Sequence, residues 1–400
     1  MLALTGAALL AGCGEARAPK GLRVLVVGAG IIGASIAFHL AKAGAQVTVI
    51  DANGVAARAS RGTFAWLNAS WAKQPRHYHG LNQRGVAGWH TLAPELGVPV
   101  AFNGSIEWFG TKARNDQLAA DIAEQAEWGE PARMLDRAEM EALEPGVDFG
   151  RATRAALSPR DGALDPVLAT ERLIEAARGR GAKVVVPARL NAVSATSEGV
   201  QRALTTAGTF EVERIVLATG AASEAGERFA GVSVPQRTTP GVIAVTRPLP
   251  PLIRAVIAAP GAHVHQRADG RVVIGEQSGA PEGHSLDGRL EGRPTRFPEG
   301  TFAQQHFDML KDAAARFVPA LREAELESIW IGWRPLPLDG HPVLGPTAAA
   351  PAAYLAVTHS GVSLAPVIGA LAAHEIVSGE ALPALDAFRP DRAFARVVRY

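Results

Sequence analysis

The run Arg23-Val24-Leu25-Val26-Val27-Gly28-Ala29-Gly30-Ile31-Ile32-Gly33 decides how the rest of the chain is read. Its first half is a short valine-rich stretch of the kind that fills a buried parallel strand. Ile32, Ile36 and Leu40 then recur every four residues, so a helix with one apolar face follows the glycines. Gly44 ends that helix, residues 47–50 form a second strand, and Asp51 closes the unit. The acid stands about 20 residues beyond the glycines, the spacing of a dinucleotide-binding strand–helix–strand unit. Gly28 permits the tight turn, Gly30 lets the backbone approach a pyrophosphate, and Gly33 lets the helix sit close to the strand. The helix N-terminus offers free N–H groups to phosphates. Asp51 can accept both hydroxyls of an adenosine ribose and disfavours a 2′-phosphate, which points to FAD or NAD rather than NADP.

The chain has 400 residues, a length that suits two domains or one large domain with an elaborated second layer. Lys plus Arg number 40 against 39 Asp plus Glu, a net charge of +1, so no global charge marks a nucleic-acid partner. The only cysteine, Cys13, excludes a disulfide framework and cysteine-based metal clusters. No internal repeat, serine nucleophile elbow, P-loop or HExxH occurs, so hydrolysis and phosphoryl transfer have no supporting constellation. Residues 1–12 are apolar and end in Leu10-Ala11-Gly12-Cys13, which resembles a bacterial lipoprotein lipobox without the usual basic segment before it. A protein tethered to the cell envelope through a lipid on Cys13 is therefore expected, with a cytoplasmic enzyme as the alternative. No other run is expected to cross a membrane.

Further segments extend the reading. Arg58-Ala59-Ser60-Arg61-Gly62-Thr63 is small, polar and basic, and Ile215-Val216-Leu217-Ala218-Thr219-Gly220 is a buried strand ending in a small-residue turn. Gly332-Trp333-Arg334-Pro335 precedes Asp339-Gly340-His341-Pro342, and His359-Ser360-Gly361 leads into an apolar helix over 364–376. With Asp161-Gly162-Ala163-Leu164-Asp165-Pro166, their order and spacing resemble the FAD-dependent D-amino-acid oxidase superfamily, especially its glycine oxidase, sarcosine oxidase and D-amino-acid dehydrogenase members. The likeness covers about residues 22–385.

The resemblance implies an α/β protein: a Rossmann-like FAD-binding domain with an inserted α+β substrate domain carrying an antiparallel sheet. The expected division is a leader over 1–20, a discontinuous FAD domain over 21–94, 151–225 and 326–400, and a substrate domain over 95–150 and 226–325. It also implies that Gly28, Gly30, Ile32 and Gly33 meet the pyrophosphate and Asp51 the ribose. Ser60, Arg61 and Gly62 would approach the phosphate and ribityl region, with Val186 and Gly220 near the adenine end. Gly361, Val362 and Ser363 match the turn at the flavin's pyrimidine edge. Some relatives attach flavin to a cysteine near the C-terminal motifs, or to a histidine where this chain has Thr63-Phe64-Ala65. FAD is therefore expected to be non-covalent.

Within the inserted region, 241–246, 263–266 and 271–275 read as strands, the last two joined by a hairpin at Asp269-Gly270. Residues 281–298 read as a surface loop, and 171–178 and 301–317 as helices. His263 and His265 share one face of their strand, near the position where the family places a substrate-facing aromatic. Arg334, set before a proline in an apolar segment, can bind a carboxylate with two parallel hydrogen bonds, the role of the matching arginine in the family. His359 falls near a second arginine of glycine oxidase, so less positive charge is expected there. Trp66, Asn68, Trp71, His77, Tyr78, His79 and Asn82 are read mainly as packing and surface polarity, and no metal site is expected.

The expected activity is oxidation of the C–N bond of a small amino acid or secondary amine, by hydride transfer to flavin N5. Oxygen or a quinone-linked carrier would take the electrons. A 2-hydroxy-acid dehydrogenase is the second reading, with His263, His265 or His359 as base; a non-catalytic flavin-binding subunit is the third.

Overall fold

In a computed structural model of the chain, Arg23–Val27 lies inside a six-stranded sheet. The structure describes residues 16–69, 73–196, 199–222, 224–237, 239–276 and 293–396. Cys13 with its lipobox, Trp71 and much of the 281–298 loop lie outside the described residues. Across the sheet the strands run Val343–Pro346, Ala353–Val357, Arg214–Leu217, Arg23–Val27, Gln46–Ile50 and Lys183–Val185. All neighbours are parallel except the first pair.

Alternation along Arg23–Val27 explains its unbroken hydrophobicity. Val24 and Val26 enter one core with the helices, whereas Leu25 and Val27 enter another beneath a small antiparallel sheet, Leu190–Ala195, Gln201–Thr205 and Gly208–Val212. Both faces are covered, so the four positions after Arg23 are all apolar, each full burial stabilising by about 1.5–3 kcal/mol. On the helical face Ile31–Lys42 packs between Gly361–Ser378 and Pro166–Arg178. Gly361–Ser378 is, against expectation, long and apolar enough by composition to cross a membrane. Its apolar residues are instead buried in the protein core with Ile36 and Leu40.

Pro166–Arg178 begins before the expected residue 171, because Asp165 caps it by accepting from the N–H groups of Val167 and Leu168. The Asp-Pro pair of the family-like segment is thus a helix start, with proline where a missing N–H does no harm.

The second body is an eight-stranded, mainly antiparallel sheet. Its order is Leu326–Trp333, Pro240–Thr246, Val272–Gly275, Ala262–Gln266, Val256–Ala259, Ser105–Glu107, Arg154–Ser158 and Arg133–Asp136. The hairpin at Asp269-Gly270 is present, with Gly270 at φ +86°. Two strands that the sequence reading gave to the FAD domain, Arg154–Ser158 and Leu326–Trp333, belong to this sheet. Leu326–Trp333 pairs along its length with Pro240–Thr246, a partner some 85 residues away that no local pattern announces.

Helix Thr301–Ala315 covers one face of this sheet through Phe307, Leu310 and Ala314, against Ile257, Val264 and Ile274. The other face turns Ile243, Val245, Val273 and Trp330 toward Phe64 of the cofactor domain. That contact brings the substrate sheet onto the segment that follows Ser60-Arg61-Gly62.

Candidate active site

The phosphate end is built from backbone. Gly28 has φ +113°, and a Cβ there would stand 2.2 Å from the Ala218 carbonyl oxygen. A Cβ on Gly33 would stand 2.0 Å from the Gly28 oxygen, so only glycine lets the helix start this close to the strand. Gly30 has only Ser60 Oγ near it, at 3.1 Å from a Cβ, and that hydroxyl accepts from the Ile31 N–H at 2.9 Å. Ser60 thereby joins the second motif to the first helical turn. Ile32 packs against Gly361, tying this helix to the start of Gly361–Ser378.

Asp51 accepts from the Ala29 N–H at 2.9 Å through one oxygen and from Asn53 and Gly54 through the other. The acid therefore also holds the glycine turn in shape. Its carbonyl accepts from Ala188 N–H, which places Val186, just past strand Lys183–Val185, beside the same end. Gly220, at φ +59°, faces open space. A turn that only glycines can make, a helix start whose N-cap Gly30 carries no side chain, and a strand-end acid together fit a dinucleotide such as FAD.

At the other end the backbones of the two domains touch. A Cβ on Gly62 would lie 2.2 Å from the Gly332 nitrogen, and one on Gly332 would lie 2.6 Å from the Gly62 oxygen. Arg61 stacks over Trp330 at 4.9 Å. Trp330, Gly332 and Arg334 fall on alternate positions, so the strand directs all three toward the cofactor domain. Arg334 lies over Gly241, where a Cβ would come within 3.0 Å of its Nε. Burial lowers Arg334 from the usual arginine range, and the nearby Glu276 acts against that shift. Burial pushes Glu276 up to about 8, with Arg334 pulling the other way, so at neutral pH the acid is mostly uncharged and Arg334 keeps its positive charge.

The three histidines separate. His263 and His265 do share a face: their rings lie 5.5 and 4.8 Å from Phe64, and His263 also meets Trp66 at 5.7 Å. His265 is buried, and its Nε2–H donates to the Phe64 carbonyl at 2.9 Å. Burial and the nearby Arg267 hold it down to about 3. His265 is therefore not a free base, as the sequence reading allowed, but a neutral side chain that fixes the Phe64 turn. His359 is also held down to about 3, by burial and then by the charges of Lys73 and Arg334. Its proposed role as a base is corrected likewise: an imidazole this acidic takes up no proton at neutral pH.

Lys73 is the residue that sequence reasoning missed. Its Nζ donates to Ser360 Oγ at 2.8 Å and stands 5.9 Å from the Tyr78 ring. The same Ser360 hydroxyl is 3.3 Å from His359 Nδ1. Ser360, in the left-handed conformation, precedes Gly361–Ser378 without capping it, so the N–H groups of Gly361, Val362 and Ser363 remain at a helix start. The Ser363 hydroxyl itself accepts from the Asn68 N–H and donates to the Trp66 carbonyl, and Trp89 Nε1 donates to the Val362 carbonyl. The expected loss of positive charge near His359 is thus reversed: lysine supplies it from another part of the chain. Nothing in Ala72-Lys73-Gln74 marks it, because an isolated lysine before a proline reads as surface.

Asp161, in the family-like segment, is fully buried and accepts from Trp66 Nε1 at 2.9 Å and Ser105 Oγ at 2.7 Å. Burial raises it to about 7. Tyr78 joins the Lys73 cluster, whereas His79 packs on Trp128 and Asn82 bonds the Tyr78 carbonyl. Among the described residues no group of three or more His, Cys, Asp or Glu could hold a metal.

Comparison with known proteins gives the family and the fold. Glycine oxidase from Geobacillus kaustophilus is 28% identical over 363 residues, covering 88% of this chain and 91% of the relative. An opine oxidase subunit from Agrobacterium tumefaciens is 26% identical over 398 residues, covering 93% and 97%. The crystal structure of the Geobacillus glycine oxidase superposes with a TM-score of 0.82 at 25% identity, over 94% of this chain and all of that one. The family model described as FAD dependent oxidoreductase (DAO) matches residues 23–375. By that match and by its nucleotide-binding turn, the chain belongs to the DAO family of FAD-dependent oxidoreductases.

Proposed function

We propose that this enzyme oxidises the C–N bond of a small amino acid or secondary amine whose carboxylate is held by Arg334. One observation carries the reading: a desolvated arginine, kept charged, directly follows a strand in backbone contact with the cofactor loop. A guanidinium in that setting offers a planar pair of donors to a carboxylate in a region of low dielectric. When bound, FAD supplies the acceptor for the hydride that leaves the carbon beside nitrogen. The chain's own residues orient the substrate and exclude water: His265 fixes Phe64, and Asp161 fixes Trp66. The glycine oxidase relative supports an amino-acid or amine substrate.

The 2-hydroxy-acid alternative needs a base for a hydroxyl proton. Burial keeps His265 and His359 near 3, which withdraws two of the three histidines that reading could use and leaves His263, whereas a neutral amine needs no such base at the moment of oxidation. The test is anaerobic flavin bleaching against D-amino acids, L-amino acids, N-methyl amino acids and 2-hydroxy acids. Amines should bleach the flavin and hydroxy acids should not. With the best substrate, Arg334→Ala should slow reduction per unit concentration by ~10²–10³-fold, the size of losing ~3–4 kcal/mol of transition-state binding. Arg334→Lys should fall between, and FAD content should stay normal. An alanine variant as fast as wild type would remove the carboxylate role.

A further inference from the structure

We propose that Glu107 forms a subsite for the far end of the substrate, so that the enzyme favours amines carrying a second, distal ammonium group. This rests on the reading of the chain as an amine-oxidising enzyme and adds the side chain that chooses among amines.

The substrate sheet places Glu107. Along Ser105–Glu107, Ile106 enters the core under helix Thr301–Ala315 with Ile257, Val264 and Ile274. Alternation therefore turns Ser105 and Glu107 to the opposite face, the one from which His263 and His265 meet Phe64. Register sets Glu107 beside Ala258 and Ala258 beside His263. The acid and the imidazole thus stand in one row, two strand spacings or about 10 Å apart. The residue between them contributes only a methyl group. The same face is joined to the cofactor domain by direct contacts. Ser105 Oγ donates to Asp161 at 2.7 Å, Trp66 Nε1 donates to the same oxygen at 2.9 Å, and the Trp66 ring lies 5.7 Å from His263.

Glu107 is the acid on this face that the fold does not use. It is 4% exposed, and its Oε1 is enclosed without a hydrogen-bond partner. No ion pair reaches it among the described residues: Arg114 acts on it from helix Lys112–Glu127, but that guanidinium stacks over Phe109 at 3.8 Å. Burial, and then the repulsion of Asp161 and Asp121, hold the Glu107 carboxyl well above its ordinary range. Acids that serve the fold are hydrogen-bonded, as Asp161 is, because a carboxyl withdrawn from water without partners costs stability. An ammonium would bring three N–H donors and a charge opposite to the buried acids Glu107, Asp121 and Asp161. A carboxylate or phosphate would meet the same acids as a like charge.

The experiment uses the FAD-loaded full chain. Anaerobic flavin reduction is compared for lysine and norleucine, each as both enantiomers. Their side chains share a four-carbon stem and differ in the terminal ammonium. Per unit concentration, wild type should be reduced at least 10-fold faster by lysine. In Glu107→Gln that ratio should fall to within about 2-fold of one, the loss of a 10–100-fold contribution from one charge-assisted hydrogen bond. Glu107→Asp should keep part of the preference, which separates loss of charge from loss of shape. Thermal stabilisation reads the subsite without turnover: 1,5-diaminopentane should stabilise wild type more than 1-aminopentane, and Glu107→Gln should lose the difference. Without ligand, Glu107→Met should unfold at higher urea than wild type, since it removes an acid that has no partner. An acid that serves the fold would give the opposite shift.

A lysine preference that survives Glu107→Gln would overturn the proposal. So would a less stable Glu107→Met together with equal stabilisation of wild type by the two pentyl amines, since the acid would then serve the fold. If no amine bleaches the flavin while 1,5-diaminopentane still stabilises through Glu107, the amine-oxidation reading falls and the cation subsite stands. If lysine and norleucine bleach the flavin equally well in wild type, only the subsite falls.

Discussion

The phosphate end and the substrate end of this protein are built in opposite ways. At the phosphate end, recognition is made by backbone: Gly28, Gly30 and Gly33 lie within six consecutive positions, and Asp51 follows after one helix and one strand. The proposed substrate end is instead assembled from side chains in distant parts of the chain: Lys73, Asp161, His265, Arg334 and His359. The first end tolerates almost no added atoms, because carbonyl oxygens stand 2.0–2.2 Å from where a Cβ would go. The second is set by charge and burial, and single changes there should alter selectivity before they alter the fold.

The strongest test of that contrast is Gly33→Ala. Its Cβ would stand 2.0 Å from the Gly28 oxygen, a backbone atom that cannot rotate away. The helix must move off the strand, so a destabilisation of ~3 kcal/mol or more is expected, with FAD content falling alongside. Urea unfolding and the flavin absorbance of purified protein measure both. Normal stability with full FAD would mean that the turn is softer than this geometry allows.

Gly62→Ala probes the junction between the two ends. Its Cβ would lie 2.2 Å from the Gly332 nitrogen, so the cofactor loop and the strand carrying Arg334 must separate. Flavin reduction per unit substrate should drop ~10–100-fold, since misplacement by an ångström costs about that much. The loss should exceed any loss of FAD, because the phosphate contacts are elsewhere. A variant that loses FAD first and reduces normally when reloaded would place the junction's importance at the cofactor end.

The smallest effect at neutral pH is expected from His265→Gln, which can keep a donor for the Phe64 carbonyl. His265 titrates near 3 in the folded protein, below its ordinary 6.5. The folded form is neutral, and the unfolded chain takes up a proton below pH 6.5. Stability contributed above that pH is therefore lost as the pH falls toward 3. The slope approaches about 1.4 kcal/mol per pH unit. Between pH 6.5 and 5 the Gln variant should lose about 1–2 kcal/mol less than wild type in urea titrations. Identical losses would show that His265 titrates normally and is not held by Phe64.

Much of the phosphate end was legible because its chemistry is local. A turn, a helix start and a strand end are consequences of neighbouring residues, so spacing reveals them. Ser60, Arg61 and Gly62 were legible only as a polar stretch of family-like position; that Ser60 meets Ile31 and Gly62 meets Gly332 came from the packing. The histidines show the limit most clearly. Alternation correctly set His263 and His265 on one face, but could not tell that a carbonyl waits opposite one of them.

The sequence by itself determined the nucleotide-binding unit, the antiparallel hairpin, the candidate carboxylate binder Arg334 and the kinship that joins them. Those rest on periodicity, glycine geometry and motif order, which are properties of a chain read along its length. Only the tertiary structure decided which sheet each strand joins, which histidines stay neutral, and that Lys73 comes to the start of helix Gly361–Ser378. Strand pairing and helix docking bring together residues hundreds of positions apart, and burial then sets their charges. A side chain's protonation and partner depend on what surrounds it in space, and residue order along the chain does not encode that environment locally.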